Sequence, residues 1–287
     1  LQAVQAGVIT VNEFRDGVGL PVINGGDVLL RQLSVYDQPV SQKSLLPAPE
    51  GKDFESKDKR TEDERKFIKK LTNFLEDEFD RVIEEISNET GKKSIFSTDF
   101  WFNEAELLKA VLRSLFRSIT TDASRRAYNE LLGYGSPISI SWTQVNEAVN
   151  LWADQFVGER ITMITDATKR MVQEKVVAWN NTGKPMKDLI NDLKGEFGPV
   201  RAERIAVTEV TNAYGQANLI TWKSSGVVEK KKWFTAFDEM TCPTCSALSG
   251  QEVALDDYFD DGMGGMYEAP AAHVNCRCYI QPVVSRL

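Results

Sequence analysis

The residues whose types and spacing could do chemistry are four cysteines and one histidine near the C-terminus. They include all the cysteines and the only histidine of the 287-residue sequence, and they lie between positions 242 and 278. Cys242 and Cys245 form a C-x-x-C pair, and His273, Cys276 and Cys278 follow as a second group. Structural zinc takes four tetrahedral nitrogen or sulfur ligands, usually from two short-spaced pairs on separate segments. The spacing therefore predicts one structural zinc ion bound by four of these five residues.

The second group offers three donors for the two remaining coordination positions. If Cys276 and Cys278 lie on a β-strand, residues two apart point to the same face, so both thiolates reach the metal. His273 would then be a partner outside the coordination sphere. The alternative set is Cys242, Cys245, His273 and Cys276. The same thiols could instead be reduced and packed in a core, or be joined as two disulfides after release from a reducing cytosol.

The order of these residues argues against the known catalytic zinc motifs. Zinc deaminases place His-x-Glu before Pro-Cys-x-x-Cys, whereas here His273 follows the C-x-x-C pair and Thr241 precedes Cys242. A single histidine excludes the HExxH motif of metalloproteases. A Cys–His dyad that uses His273 is a minor alternative. The sequence predicts a protein that is not an enzyme, with a nuclease or other delivered effector as the less favoured hypothesis.

The charge of the chain argues against general binding to nucleic acid. The net charge is -8, and non-specific binding to a duplex relies on Lys and Arg that displace counterions from phosphates. Lys230, Lys231 and Lys232 form a local basic run and are a weak candidate nucleic-acid contact, with a solvated surface patch as the simpler interpretation. The acidic run from Asp256 to Asp261 lacks EF-hand spacing and is expected to be a solvated loop. No apolar run approaches the length of a membrane span, so no membrane partner is expected.

Long helices are predicted to position the Cys/His group. Apolar residues at three-and-four spacing predict five helices. The predicted helices cover residues 68–91, 103–133, a segment from Ser141 to about 180, a segment after Pro185, and residues 200–224. Ser141 is expected to cap the third of them. The fifth has a face of small residues, which suits close packing against another helix.

The two ends of the helical region differ in character from it. Lys52–Glu64 is almost entirely polar, which predicts a linker or the start of a helix. Lys232–Phe237 is predicted to be a short strand, and Arg277–Val284 a final extended segment. The predicted fold class is therefore α+β, mainly α: a long-helix bundle followed by a small β-containing Cys/His end.

A series of residues near the C-terminus has an order and spacing typical of one protein family. The series comprises Arg201–Glu209, Ala213-Tyr214, Trp222, Trp233, Asp238–Cys245, Leu248, Gly250, Pro270, His273–Cys278 and Pro282. Through this series the chain resembles the phage Mu F-like head morphogenesis family. One departure is Val207, where the family often has arginine.

The first 45 residues resemble a different phage protein, the C-terminal tail of a portal protein. That resemblance rests on Gln5–Thr10, Asn12-Glu13, Gly19–Pro21 and Gly25–Asp27, and a capping box is expected at Thr10–Glu13. If both resemblances hold, the chain is the back end of a fusion between a portal and a minor head protein. A chain that begins with Leu1, as expected of a processed product or a fragment, fits that account.

These patterns predict four regions: a portal-tail-like segment (1–48), a charged linker (49–66), a helical arm or bundle (67–198) and a Mu F-like core (199–287). The resemblance implies a minor head protein that assembles with the portal protein and other capsid proteins. Its expected location is the capsid interior at the portal vertex of the virion, after assembly in the host cytoplasm. Some relatives are associated with DNA. The second hypothesis is therefore a zinc-containing nucleic-acid-binding module that contacts packaged DNA.

Overall fold

The computed structural model describes residues 55–88, 96–134, 138, 140–182, 184–236 and 241–284. The helices are α1 (Glu55–Asn88), α2 (Thr98–Gly133), α3 (Trp142–Asn180), α4 (Met186–Lys194), a 3₁₀ turn (Gly195–Phe197), α5 (Pro199–Ser225) and α6 (Pro243–Leu248). The strands are β1 (Lys230–Phe234), β2 (Glu252–Ala254), β3 (Phe259–Asp260), β4 (Met266–Tyr267) and β5 (Tyr279–Val283). The predicted fold class, α+β and mainly α, is confirmed.

Several sequence-based expectations lie outside the described residues. They are the portal-tail-like segment 1–48 with its capping box at Thr10–Glu13, residues 49–54 of the charged linker, the predicted end of the first helix at 91, and the Asp238–Met240 part of the family series.

Local capping determines where the long helices begin and end. Ser141 caps α3: its hydroxyl accepts the backbone N–H of Gln144, whose side chain accepts the backbone N–H of Ser141. The predicted cap of α3 is therefore confirmed. The second helix begins at Thr98, earlier than predicted, because the Ser97 hydroxyl accepts a backbone N–H of its first turn. The fifth helix ends before Gly226, whose φ of 68° is the left-handed conformation that terminates many helices.

The first helix begins well before its apolar pattern does. Residues 55–66 belong to α1, so they are not a linker, and the other interpretation of this polar segment, a helix start, is the observed one. The apolar period is missing here because polar side chains, and not apolar ones, attach this part of the helix to the rest of the protein. Asp63 is only 4% exposed, and Arg60 donates hydrogen bonds to the C-terminal segment. Buried polar groups are tolerated when they find partners.

The helices pack around a shared aromatic core. Phe116 of α2 contacts both Phe67 of α1 and Phe156 of α3, with ring centroids 5.6 Å apart in each pair. The fifth helix packs against α1, α2 and α3, so it lies between the bundle and the C-terminal end. None of the helices in the described part of the chain is both long and apolar enough to cross a membrane.

The C-terminal end contains a small antiparallel sheet with the strand order β2–β1–β5. The predicted strand is observed slightly earlier than expected, at Lys230–Phe234, and β5 lies within the predicted extended segment. Strands β3 and β4 form a separate hairpin. Trp233 of β1 lies opposite Ile280 of β5, and both are buried. Their cluster also includes Leu131 of α2 and Trp222 of α5, so the sheet shares its core with the helices.

Candidate metal site

The C-x-x-C pair is placed at the start of a short helix. Cys242 is the N-cap residue of α6, and its Sγ lies 3.4 Å from the backbone N–H of Cys245, which it accepts. Pro243 occupies the first helical position, where its fixed φ suits the helix and its missing N–H costs nothing. This turn aims both sulfur atoms in the same direction. Cys245 is buried and Cys242 is half-buried.

The second donor group lies in the segment that leads into β5. Asn275 has a φ of +62°, in the left-handed region that asparagine tolerates better than most residues. The backbone N–H of Cys276 donates to the carbonyl oxygen of His273 at 3.3 Å, closing a turn. Strand β5 begins only at Tyr279, so Cys276 and Cys278 do not lie on a strand. Both are nevertheless buried in the C-terminal core, with 1% and 2% of their surfaces exposed.

One face of α5 holds the backbone of this segment. The Thr208 hydroxyl accepts the N–H of Asn275 at 2.9 Å, and the Asn212 side-chain oxygen accepts the N–H of Ala271 at 2.9 Å. The Thr211 hydroxyl lies 2.6 Å from the carbonyl oxygen of Cys276. Residues three and four apart share a helix face, so these side chains form one stripe. We call residues 269–278 the ligand loop, because the stripe fixes the segment that carries three of the candidate donors.

This polar stripe is the feature that the sequence analysis missed. Its signal is present in the sequence: Thr208, Thr211 and Asn212 recur at helical spacing within α5. Thr208 and Thr211 are both 1% exposed. Buried hydroxyl and amide groups must find hydrogen-bond partners. Val207, where the family often has arginine, is also buried, at 1% exposed.

The structure brings all five predicted donors together. His273 Nε2 lies 3.0 Å from Cys242 Sγ and 2.9 Å from Cys245 Sγ. Cys245 Sγ lies 3.8 Å from Cys276 Sγ. Two groups have donor atoms within 4.8 Å of one another, Cys242–Cys245–His273 and Cys245–Cys276–Cys278. Cys245 belongs to both groups, and the cluster could hold a metal ion.

The Cys245–Cys276 separation and the orientation of His273 are compatible with a tetrahedral ion. Zinc–sulfur bonds of about 2.3 Å place two thiolates of a tetrahedral site about 3.8 Å apart. Cys245 Sγ and Cys276 Sγ already have that separation. His273 Nδ1 lies 2.7 Å from the carbonyl oxygen of Val274 and donates to it, which leaves Nε2 facing the sulfur atoms. Metal-ligating histidines usually donate their second ring N–H in this way.

Hydrogen bonds among the closely spaced sulfur atoms shift the pKa values of the four thiols in different directions. A hydrogen bond from the Cys245 thiol lowers the pKa of Cys242 to about 4. The same interaction raises the pKa of Cys245, and hydrogen bonds to Cys276 and Cys278 and burial raise it further. Hydrogen bonds from Cys245 and Cys278 place the pKa of Cys276 well below its ordinary value. The hydrogen bond with Cys245 acts to lower the pKa of Cys278. The hydrogen bond with Cys276 and burial act in the opposite direction, and together they raise the pKa of Cys278 above its ordinary value.

The histidine carries a proton that balances part of this charge. Burial acts to lower the pKa of His273, but the hydrogen bond to Cys242 and the negative charge of Cys276 outweigh it and raise that pKa to about 9. These shifts favour the charged forms of Cys242, Cys276 and His273, whose opposite charges lie close together. A cation bound at the same place would take over this balancing role, because metal ligands bind in their deprotonated forms. The donor set thus fits a thiophilic divalent ion such as zinc.

The basic run 230–232 does not form one continuous patch. Alternation along β1 turns Lys231 to the opposite face from its neighbours, and Lys231 is fully buried beside the Phe259 ring. Its ammonium has no hydrogen-bond partner among the described residues. Lys230 is exposed but forms an ion pair with Glu252 at 3.1 Å. Lys231 therefore does not lie at the surface, and Lys230 and Lys232 are the members of this candidate nucleic-acid contact that reach solvent.

The acidic run is only partly a solvated loop. Asp256 is exposed, as expected, but Asp261 is 8% exposed and organises the turn between β3 and β4. Its carboxylate accepts the backbone N–H groups of Met263 and Gly265, each at 2.8 Å. These hydrogen bonds lower the pKa of Asp261. The turn between β3 and β4 is therefore held by hydrogen bonds from its own backbone.

Comparison with known proteins supports the resemblance inferred from the sequence. Residues 169–281 match a family model described as Phage Mu protein F like protein. Comparison with curated proteins and with solved structures gives no match. The matched region begins within α3, earlier than Arg201, and ends within β5; it contains α5, β1, β2 and all five candidate metal ligands. It does not extend to the first 45 residues.

Proposed function

We propose that the protein is a structural, non-enzymatic component of a tailed-phage head that acts in head morphogenesis. The observation that carries this proposal is the match of residues 169–281 to the Phage Mu protein F like family. The matched region is the part of the chain in which α5 and the ligand loop form one hydrogen-bonded unit. A region built in this way suits a protein that works through its shape and its protein contacts.

Within this region we propose that Cys242, Cys245, His273 and Cys276 bind one structural zinc ion. The contacts of His273 Nε2 with Cys242 and Cys245, and the separation of Cys245 from Cys276, support this set. Cys278 then lies beside the ligands, close to Cys245 and Cys276. A closed set of four protein ligands stabilises a fold, whereas catalytic zinc keeps one position for water or substrate.

The partners that we propose are the portal protein and other capsid proteins at the portal vertex of the virion. Residues 1–48 resemble a portal tail and belong to the same chain as α1. This resemblance supports an assignment to the portal vertex. Contact with packaged DNA is less favoured. The net charge is -8, and the basic run that suggested such contact has its central lysine buried.

The proposal is tested in the phage whose genome encodes this chain. The coding region for residues 55–287 is removed, and the full chain, a Cys245→Ser variant or a Ser246→Ala variant is supplied in trans. We expect the full chain and the exposed Ser246→Ala control to be recovered in purified heads and to restore infectious particles. Cys245→Ser is expected to restore far fewer. Normal, infectious heads that contain no product of this region would contradict a structural role in the head.

A further inference from the structure

The N-terminal half of α1 reaches the backbone of the ligand loop through one arginine. Arg60 Nη1 donates to the carbonyl oxygen of Cys278 at 3.2 Å and lies 3.4 Å from that of Arg277. Its Nη2 donates to the Thr211 hydroxyl. The Arg60 side chain is only 13% exposed, so these contacts are made in a largely water-excluded position. Arg60 precedes Cys278 by more than two hundred residues, so the contact is a purely tertiary one.

Arg60 and Thr211 together hold three consecutive carbonyl groups. Thr211 contacts the carbonyl oxygen of Cys276, and Arg60 contacts those of Arg277 and Cys278. A guanidinium presents its donors in a rigid fork, so it fixes the directions of the groups that it binds. The Glu64 carboxylate accepts the remaining hydrogen bond of the guanidinium, from Arg60 Nε at 3.2 Å. The backbone between two candidate donors is therefore shaped by a residue of α1.

A second polar contact holds the same half of α1. The Tyr214 hydroxyl of α5 donates to Asp63 at 2.8 Å and accepts from Arg126 of α2 at 2.7 Å. Asp63 also pairs with Lys59 at 3.5 Å. Contacts through polar groups are directional, so this part of α1 docks only where the acceptors of α5 and the ligand loop are in place. Apolar packing alone would be less sensitive to the shape of the loop.

We propose that metal occupancy of the Cys/His site and docking of residues 55–70 of α1 are thermodynamically coupled, with Arg60 as the positioning residue. The inference rests on the proposed metal site. A metal ion bound by His273 and Cys276 restricts the ligand loop to the shape in which its carbonyls meet Arg60. The restricted loop binds the helix more tightly, and by linkage the docked helix increases metal affinity by the same factor. Metal binding thereby secures the helix that follows residues 1–54 in the sequence.

The first arm of the test uses the unaltered full-length chain. Amide hydrogen exchange is followed by mass spectrometry in the zinc-loaded protein and after removal of zinc by a chelator. We expect zinc to slow exchange in residues 60–70 as well as in the ligand loop, and to leave α4 unchanged. This comparison needs no variant, so it decides the question even if substitution of Arg60 prevents folding.

The second arm measures zinc affinity by competition with a chromophoric chelator. Groups that orient metal ligands without touching the metal typically change affinity by about 10- to 100-fold. We expect Arg60→Ala to weaken zinc binding by about 10-fold and to remove the effect of zinc on exchange in residues 60–70. Arg60→Lys is expected to keep part of the zinc affinity and part of the effect of zinc on exchange, because its ammonium can still donate to one of the acceptors. Arg65→Ala, at an exposed position of the same helix, is the matched control.

The outcomes separate this inference from the proposed metal site. Cobalt substituted for zinc reports the ligand set, and its tetrahedral thiolate absorption is expected to persist in Arg60→Ala, since no ligand is removed. Zinc binding with no change in exchange of residues 60–70, or equal affinities in Arg60→Ala and Arg65→Ala, overturns the coupling and leaves the metal site standing. Failure of the unaltered chain to bind zinc overturns both.

Discussion

Gly215 of α5 lies so close to Pro270 that a β-carbon built on it would be 2.6 Å from the Pro270 carbonyl oxygen. That oxygen belongs to the backbone of the ligand loop, and the neighbouring Ala271 N–H donates to the Asn212 side-chain oxygen, about one helical turn from Gly215. Gly215→Ala is therefore expected to push the loop away from α5. Overpacking of a fitted contact costs about 1–3 kcal/mol, and we expect a loss of free energy of unfolding of that size in chemical denaturation.

The control for this substitution is Gly158→Ala in α3. Gly158 is exposed, and an added β-carbon would meet nothing within 4 Å. Alanine is favoured over glycine in a helix interior by about 0.5–1 kcal/mol, so this variant should be more stable than the unaltered chain. Equal effects of the two substitutions would mean that the close approach of α5 to the ligand loop is absent in solution.

The ligand set predicts different effects for the two C-terminal cysteines. Cys276→Ser removes a proposed ligand and is expected to weaken zinc binding by more than about 100-fold, whereas Cys278→Ser should change it by about 10-fold or less. His273→Ala is expected to behave like Cys276→Ser. Competition with a chromophoric chelator on the full chain measures all three. The reverse ranking, with Cys278 essential and His273 dispensable, would establish the four-cysteine set instead.

A buried carboxyl group in the helical bundle predicts pH-dependent stability. Burial raises the pKa of Glu78 to about 8 from 4.5, against a lowering effect of Arg201 and with a further increase from Glu104. Between pH 4.5 and about 8 the folded state keeps a proton that the unfolded chain releases, so the free energy of unfolding falls as pH rises. Glu78→Gln should remove this fall.

We expect Glu78→Gln to be more stable than the unaltered chain at pH 8, by on the order of 3 kcal/mol, and equally stable near pH 4. Denaturant titrations over this pH range measure the difference. Glu76→Gln, at an exposed position of the same helix, is the control and should keep the slope of the unaltered chain. Parallel pH profiles for the two variants would show that Glu78 does not carry the effect.

The buried lysine of β1 gives a prediction of opposite sign. Burial lowers the pKa of Lys231 to about 8 from 10.5. Below pH 8 the side chain is charged in both states, and burying this charge lowers the free energy of unfolding by a constant amount. That penalty declines as pH rises from about 8 toward 10.5, because the folded state releases the proton before the unfolded chain does. Lys231→Met should therefore raise the free energy of unfolding at pH 7 by about 1–3 kcal/mol, with a smaller gain at pH 10. Lys230→Met, which removes an exposed ion pair, should change stability by less than about 1 kcal/mol. A Lys231→Met protein less stable than the Lys230→Met control would contradict the buried placement.

Local signals allowed much of the helical part to be predicted from sequence. Ser141 and Gly226 mark helix ends through capping and left-handed geometry, which depend only on nearby residues. The start of α1 was predicted only as one of two alternatives, a linker or a helix start, because Arg60 and Asp63 are held by residues far away in the sequence. No apolar period marks a helix whose buried side consists of satisfied polar groups.

The candidate site shows the same division between local and tertiary information. The spacing of Cys242 and Cys245 was enough to predict a paired turn. It did not place His273, because the turn at Asn275 and the supporting stripe on α5 decide which atoms face the sulfur atoms. The burial of Lys231 likewise follows from strand register, which a run of three lysines does not reveal.

The most direct test of the central claim is the metal content of the full-length chain, measured by elemental mass spectrometry with thermal unfolding followed in parallel. An isolated 199–287 fragment is not suitable, because Leu131 of α2 and Arg60 of α1 contribute to the core and the ligand loop. We predict about one zinc ion per chain, with a clear loss of thermal stability on chelation, as expected of a closed four-ligand site. A chain that contains no zinc when purified, takes up none when it is added, and melts identically with and without chelator would contradict the account.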